Sequence, residues 1–441
     1  MLVTNAQLYY IAPFKIGDYD RFVTYLKGES WKPLEGGSDF SCHSINAANA
    51  EFLGLMPGGD IGVLQGECFC HQDTNGAYSI FNNRKVTVRG RSVADVEATL
   101  VNHLRIYLYK EASVGLLLFG FSVNDTEMDT LIKLNYDLHK IDSQQSPSLS
   151  FRRSKDEYCE KPGFETVGNL VRSLLGCGEK DSDVRLLNPQ RLRAAVCMHI
   201  DTSQKEYSAS VLDKALVLMS MCYSLSYKLP AEKDIKSEYL FDDIAVSAYF
   251  EGMSMAVLRD HTVGEDNFEA NFKGKFLDSY MPVYLMANLA ESVIASNSNK
   301  ENLEKEEIIK VLHKVKCFTK LPVSPYHHLI RFSEICSNAV YLPQRNAALV
   351  DYFEYERVDR ANHLAELEKI RGEESKVREQ NLNYIVLLFT FVQFFFLLLN
   401  FSGISTFCDL DTFWLWVVSF LLIAISYGFI RLVVKVLLRK K

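Results

Sequence analysis

No Walker loop, no dinucleotide fingerprint and no G-x-S-x-G nucleophile elbow occurs in this 441-residue chain. The common nucleotide-hydrolase, dehydrogenase and serine-hydrolase designs therefore have no motif to stand on. The Gly58-Gly59 pair in Met56–Asp60 is too short for a phosphate cradle and reads as a turn. Cysteine pairs at zinc-knuckle spacing are missing, and ten cysteines lie at irregular intervals, the pattern of reduced, buried thiols rather than a disulfide framework. Net positive charge is lacking too. The balance is −7, which argues against direct DNA or RNA binding driven by bulk electrostatics. The opening MLVTNAQLYYIAPFKIGDYD has no basic segment followed by an apolar run, and Asp18, Asp20 and Glu29 are foreign to a presequence, so no targeting peptide is expected. Internal repeats and low-complexity tracts are absent.

Hydropathy, by contrast, is concentrated near the end. Residues 384–401 read YIVLLFTFVQFFFLLLNF without a charge and would rise about 27 Å as a helix, close to a bilayer's hydrocarbon thickness. A second apolar run covers 413–430. Arg371, Lys376 and Arg378 precede the first run, and a basic tail, 431–441, follows the second. This pattern predicts a two-helix transmembrane hairpin in the inner membrane with both termini cytoplasmic. Arg431, Lys435 and Arg439, four residues apart, fall on one helix face and would meet lipid head groups or act as a stop-transfer anchor. Gln393 and Asn400 in the first run, and the small pair Ala424 and Gly428 in the second, are candidates for pore lining or close helix packing. Two spans cannot enclose a pathway, so transport would need a homo-oligomer.

Upstream, 347–383 predicts a long charged stalk helix, supported by Glu356–Arg360 and Glu374–Arg378 pairs, with Gly372 as a weak point. Residues 1–125 predict a ferredoxin-like βαββαβ domain. Its strands fall near Ala6–Pro13, Gly62–His71, Tyr78–Arg89 and Gly115–Val123, its helices near Asp18–Gly28 and Val93–Tyr109, and its hairpin turn at Asn75-Gly76. A second α/β unit covers 147–260, and a helical layer 267–345. The expected class is thus α+β with a stalk and a membrane hairpin.

Few residues carry chemistry. Cys42, His43, Cys68, Cys70 and His71 cluster in sequence and would suit zinc, but buried free thiols explain them as well. Asp242-Asp243 and His327-His328 would diverge rather than converge on a metal, and no catalytic residue, no metal site and no enzyme activity is expected. Arg152 and Arg153, ending a strand in FRRS, are candidates to hold a phosphate, with Arg191 and Arg193 approaching from the next strand. Salt bridges to Asp156 or Glu157 are the alternative.

In layout — α/β domain, helical layer, long helix, two-span hairpin, basic tail — the chain resembles the CorA-type metal-ion transporters. That family closes its first span with Gly-Met-Asn; here Asn400-Phe401-Ser402-Gly403 stands at the place, without the Gly-Met pair. The resemblance therefore implies a divergent member, similar to those that serve as antiviral, CRISPR-associated effectors gated by a nucleotide second messenger. It implies a homo-oligomeric membrane channel with Arg152 and Arg153 on messenger phosphates and no other cofactor. A Mg²⁺ or other divalent-ion transporter is the alternative, and a membrane-anchored scaffold without conductance is the third reading.

Overall fold

The computed structural model describes residues 1–28, 31–33, 67–71, 84–101, 104–154, 157–159, 164–177, 183–229, 237–259, 276–297 and 326–401, with isolated positions between 306 and 313 and between 414 and 431. Met1–Glu354 forms one compact unit and Tyr355–Lys441 a second.

The first unit is built on β1 (Leu2–Ile16), a 15-residue strand. After it come α1 (Tyr19–Gly28), β2 (Trp31–Pro33), β3 (Glu67–His71), β4 (Arg84–Arg89), β5 (Val96–Leu100), β6 (Arg105–Tyr109), β7 (Val114–Glu127) and α2 (Met128–Leu138). The chain continues through β8 (Ser148–Ser154), β9 (Glu157–Cys159), α3 (Val167–Leu175), β10 (Val184–Leu186), β11 (Arg193–Asp201) and α4 (Ala209–Ser220). It then forms β12 (Glu238–Phe241), β13 (Ile244–Tyr249), β14 (Gly252–Arg259), a π turn at Phe276–Tyr280, α5 (Met281–Asn297), α6 (His327–Ala339) and α7 (Leu342–Phe401).

All fourteen described strands join one sheet, with the path β12-β13-β14-β11-β1-β7-β5-β4-β8-β9. β10 adds to β1, and β2, β3 and β6 branch from β7. Among the described residues, only β11 and β14 pair in parallel. Alternation along β1 serves both faces. Leu8, Tyr10, Ala12 and Phe14 enter the core shared with α1, α2, α3 and α4. Tyr9 and Ile11 enter the other, with α5, α6 and the start of α7. The layers are therefore helix, sheet, helix. Two aromatics of β1 sit opposite glycines on β7, Phe14 against Gly115 and Tyr9 against Gly120. A Cβ on Gly115 would lie 2.2 Å from the Phe14 ring, so the missing side chain is what makes room for the ring.

Several expectations are corrected here. The helix foreseen at Val93–Tyr109 is two strands, β5 and β6. Val96, Ala98 and Leu100 alternate inward and RIYLY is buried throughout, so the period is two rather than 3.6. Nor is there a separate ferredoxin-like domain followed by a second α/β unit, because β11 pairs with β1 and β8 with β4. The Asn75-Gly76 turn, Cys42 and His43 lie outside the described residues, as do the side chains of Arg152, Arg153, Cys70 and His71.

The membrane hairpin is also corrected. Among the described residues, no helix is long and apolar enough to cross a membrane. That finding overturns the expected spans at 384–401 and 413–430, the multi-pass inner-membrane placement, and the channel, transporter and membrane-anchored readings that rested on them. The side chains of 395–400, including Asn400, and most of 402–441, including Lys435 and Arg439, lie outside the described residues. Gln393, Ala424, Gly428 and Arg431 are exposed, and a Cβ on Gly428 would meet nothing within 4 Å. The expected stalk pair Glu374–Arg378 forms no ion pair among the described residues.

Candidate functional site

The most unusual chemistry of the first unit gathers where β11 and β14 begin. The two parallel strands start side by side, Ala194 opposite Gly252, and the Ala194 amide donates to the Glu251 carbonyl at 3.0 Å. A Cβ on Gly252 would stand 2.8 Å from the Ala194 carbonyl oxygen, so a glycine is needed for the strands to start this close together. The turn thereby places Phe250 and Glu251 beside the first residue of β11, Arg193.

Arg193 is only 7% exposed. Its guanidinium carbon lies 3.7 Å from the Phe250 ring centroid, and its Nη2 approaches Glu291 of α5 at 3.3 Å. Glu291 also accepts from Nη1 of Arg345, in the second turn of α7. Arg191, two residues before Arg193, approaches Glu251 at 3.5 Å and is half exposed. Three guanidinium groups thus share two carboxylates. Buried charge is costly unless paired and hydrogen-bonded, yet Nη1 of Arg193 and Oε2 of Glu251 are buried without a partner.

The shell around this cluster is buried: Cys222 and His139 are each 2% exposed. Cys222, in the left-handed backbone region at φ 52°, donates through Sγ to the Glu251 carbonyl at 3.8 Å. Burial pushes its thiol up to about 12, and Glu251 adds to the shift. His139, whose carbonyl accepts from the Leu192 amide at 2.7 Å, is pushed down to about 3, first by burial and then by Lys140 and Arg191. Its unfolded value lies near 6.5. The folded pKa is the lower one, so the contribution to stability is full above about pH 6.5 and is lost as pH falls toward 3. Between pH 7 and pH 5 the urea midpoint should drop by the equivalent of about 2 kcal/mol. His139→Asn should flatten that slope, and an unchanged slope would refute the assignment.

A cleft of about 270 Å³ opens between β13 and the end of α6, walled by Glu238, Tyr249, Asn338 and Tyr341 among others. Tyr341 links α6 to α7 with φ 52°, a conformation that glycine takes freely and a bulky residue takes at a cost of about 1 kcal/mol or more. The Tyr249 phenol is raised by burial and by the neighbouring Tyr341. The cleft and the cluster share their framework: Tyr249 precedes Phe250, and Tyr341 lies one helical turn before Arg345.

Of the arginines singled out in the sequence, Arg191 and Arg193 thus come together here, and Arg152 and Arg153 do not. Between β8 and β11 lie β4, β5, β7 and β1, a separation of about 24 Å at the usual strand spacing. Sequence reasoning missed Glu291, Arg345, Phe250 and Glu251. One signal was available: Glu291 is the sole charged residue of the apolar helix α5, and a lone charge there needs a buried partner. Cys68 is buried, and no group of three metal-ligating side chains gathers among the described residues. No protein-family model, no characterised protein and no solved structure matches this chain, so the CorA-type resemblance gains no support from comparison.

Proposed function

We propose that the Met1–Glu354 unit is a binding domain for a small phosphate-bearing ligand, held by Arg193 and Arg345 with Arg191 at the rim. The observation that carries this reading is the unpartnered Nη1 of Arg193, a charged donor sealed in a site with more arginines than carboxylates. An anion satisfies such a donor bidentately. A nucleotide is the ligand class that uses both features, with its phosphate on the arginines and its base against Tyr249 and Tyr341. The strained backbone of Tyr341 supports the second half, because a glycine there would fold more easily but would offer no ring.

Thermal unfolding with and without AMP and inorganic pyrophosphate tests the proposal. A ligand present at about 100 times its Kd stabilises the folded state by about 2.7 kcal/mol, so both probes should raise Tm by several degrees. Arg193→Gln should abolish both shifts. Tyr341→Gly should keep or raise the ligand-free Tm while weakening AMP about tenfold and leaving pyrophosphate unchanged. Absence of any shift at millimolar concentrations of either probe would sink the reading, as would an Arg193→Gln protein that still responds. A purely structural cluster, one that only ties α5 and α7 to the sheet, predicts that outcome.

A further inference from the structure

The second unit presents a different kind of surface. In α7, Ile370, Val377, Tyr384 and Phe391 recur every seven residues, and all four are 43–55% exposed. Placing them at d of a heptad puts Leu367, Glu374, Asn381 and Leu388 at a. The outward b, c and f positions from 368 to 379 are then Glu368, Lys369, Gly372, Ser375, Lys376 and Glu379, with no apolar residue among them. Gly372 falls at f, where a Cβ would meet nothing within 4 Å.

The flanks of the seam decide the partner. Positions g are Glu366 and Glu373, and the e positions that follow are Arg371 and Arg378. None of the four has an ion-pair partner among the described residues. In a parallel, in-register assembly each g residue faces the e residue five places later on the neighbouring chain. That pairing gives Glu366 with Arg371 and Glu373 with Arg378. An antiparallel arrangement would set glutamate against glutamate and arginine against arginine. Asn381 at a is a polar layer of the kind that fixes register at some expense of stability, and Glu374 weakens the seam at its own layer.

We infer that copies of this chain associate through α7 as a parallel, in-register coiled coil over residues 366–391. The occupant of the apolar stripe is the same helix of another copy, because its own charges complement themselves in that orientation alone. The inference does not depend on the ligand proposal, which concerns the other unit.

Sedimentation equilibrium of the full chain at micromolar concentration should give a multiple of the 50.3 kDa monomer mass. Arg371→Glu with Arg378→Glu should raise the dissociation constant at least tenfold without loss of helix signal. Mixing that variant with Glu366→Arg/Glu373→Arg should restore association. As an orientation test, Asn381→Cys should form a self-disulfide under mild oxidation much faster than Glu379→Cys, each compared with the parent chain treated alike. A monomeric parent, charge reversal without effect, or faster crosslinking at 379 than at 381 would each overturn the proposal.

Discussion

Glu291→Gln is expected to cost the Met1–Glu354 unit about 3–5 kcal/mol, the usual penalty for leaving a buried charge without its partner. Domains of this kind have only about 5–15 kcal/mol in total, so the urea midpoint should fall by roughly a fifth or more. The size follows from geometry, since one carboxylate answers both Arg193 and Arg345. Glutamine keeps the volume and one acceptor, so what is removed is charge. Pairing the change differently should reverse it. Arg193→Met with Glu291→Leu replaces the inner ion pair by apolar groups, while Arg345, whose side chain is one-third exposed, can reach solvent. That double variant should be more stable than Glu291→Gln. A loss under 1 kcal/mol in the single variant would mean that water enters the cluster and screens it.

A second large effect is expected at the centre of the sheet. Phe14 is fully buried, packs edge-on against Phe22 with centroids 5.6 Å apart, and covers Gly115. Phe14→Ala should cost about 3–5 kcal/mol through the cavity that it leaves. Gly115→Val alone should cost about 1–3 kcal/mol, because its branches would push into the ring. Combined, the two should cost less than their sum, since the valine fills part of the space that the ring vacates. Strict additivity in equilibrium unfolding would show that the ring and the glycine do not share that space.

The elements legible in the sequence were those whose periodicity and punctuation agreed. β11 and the Glu251-Gly252 turn that joins β13 to β14 are of this kind, an apolar run and a glycine turn that the sequence displays locally. Val93–Tyr109 misled because its apolar residues fit a helical stripe and an alternating strand about equally, and only the neighbouring β7 decides between them. The joining of two apparent units into one sheet was not legible at all. It depends on β1 meeting β11 across about 190 residues of chain, which no local pattern records. The candidate site was half legible. Two arginines of the site, Arg191 and Arg193, were visible, but the FRRS motif drew attention to the far side of the sheet, and the partners on α5 and α7 become neighbours only through the fold. The apolar run from Tyr384 was plain in the sequence, and its reading as a membrane span is corrected because, among the described residues, no helix is long and apolar enough to cross a membrane.

The placement of β1 has a consequence for synthesis. β1 precedes both of its long neighbours, β7 and β11, in the chain. At about 5–20 residues per second, some 10–40 seconds separate its emergence from that of β11. Throughout that interval a strand apolar on both sides has at least one unpaired edge, so a nascent chain halted before residue 193 should be a holdase client and a seed for aggregation, whereas one halted after residue 354, with both faces of the sheet covered, should not.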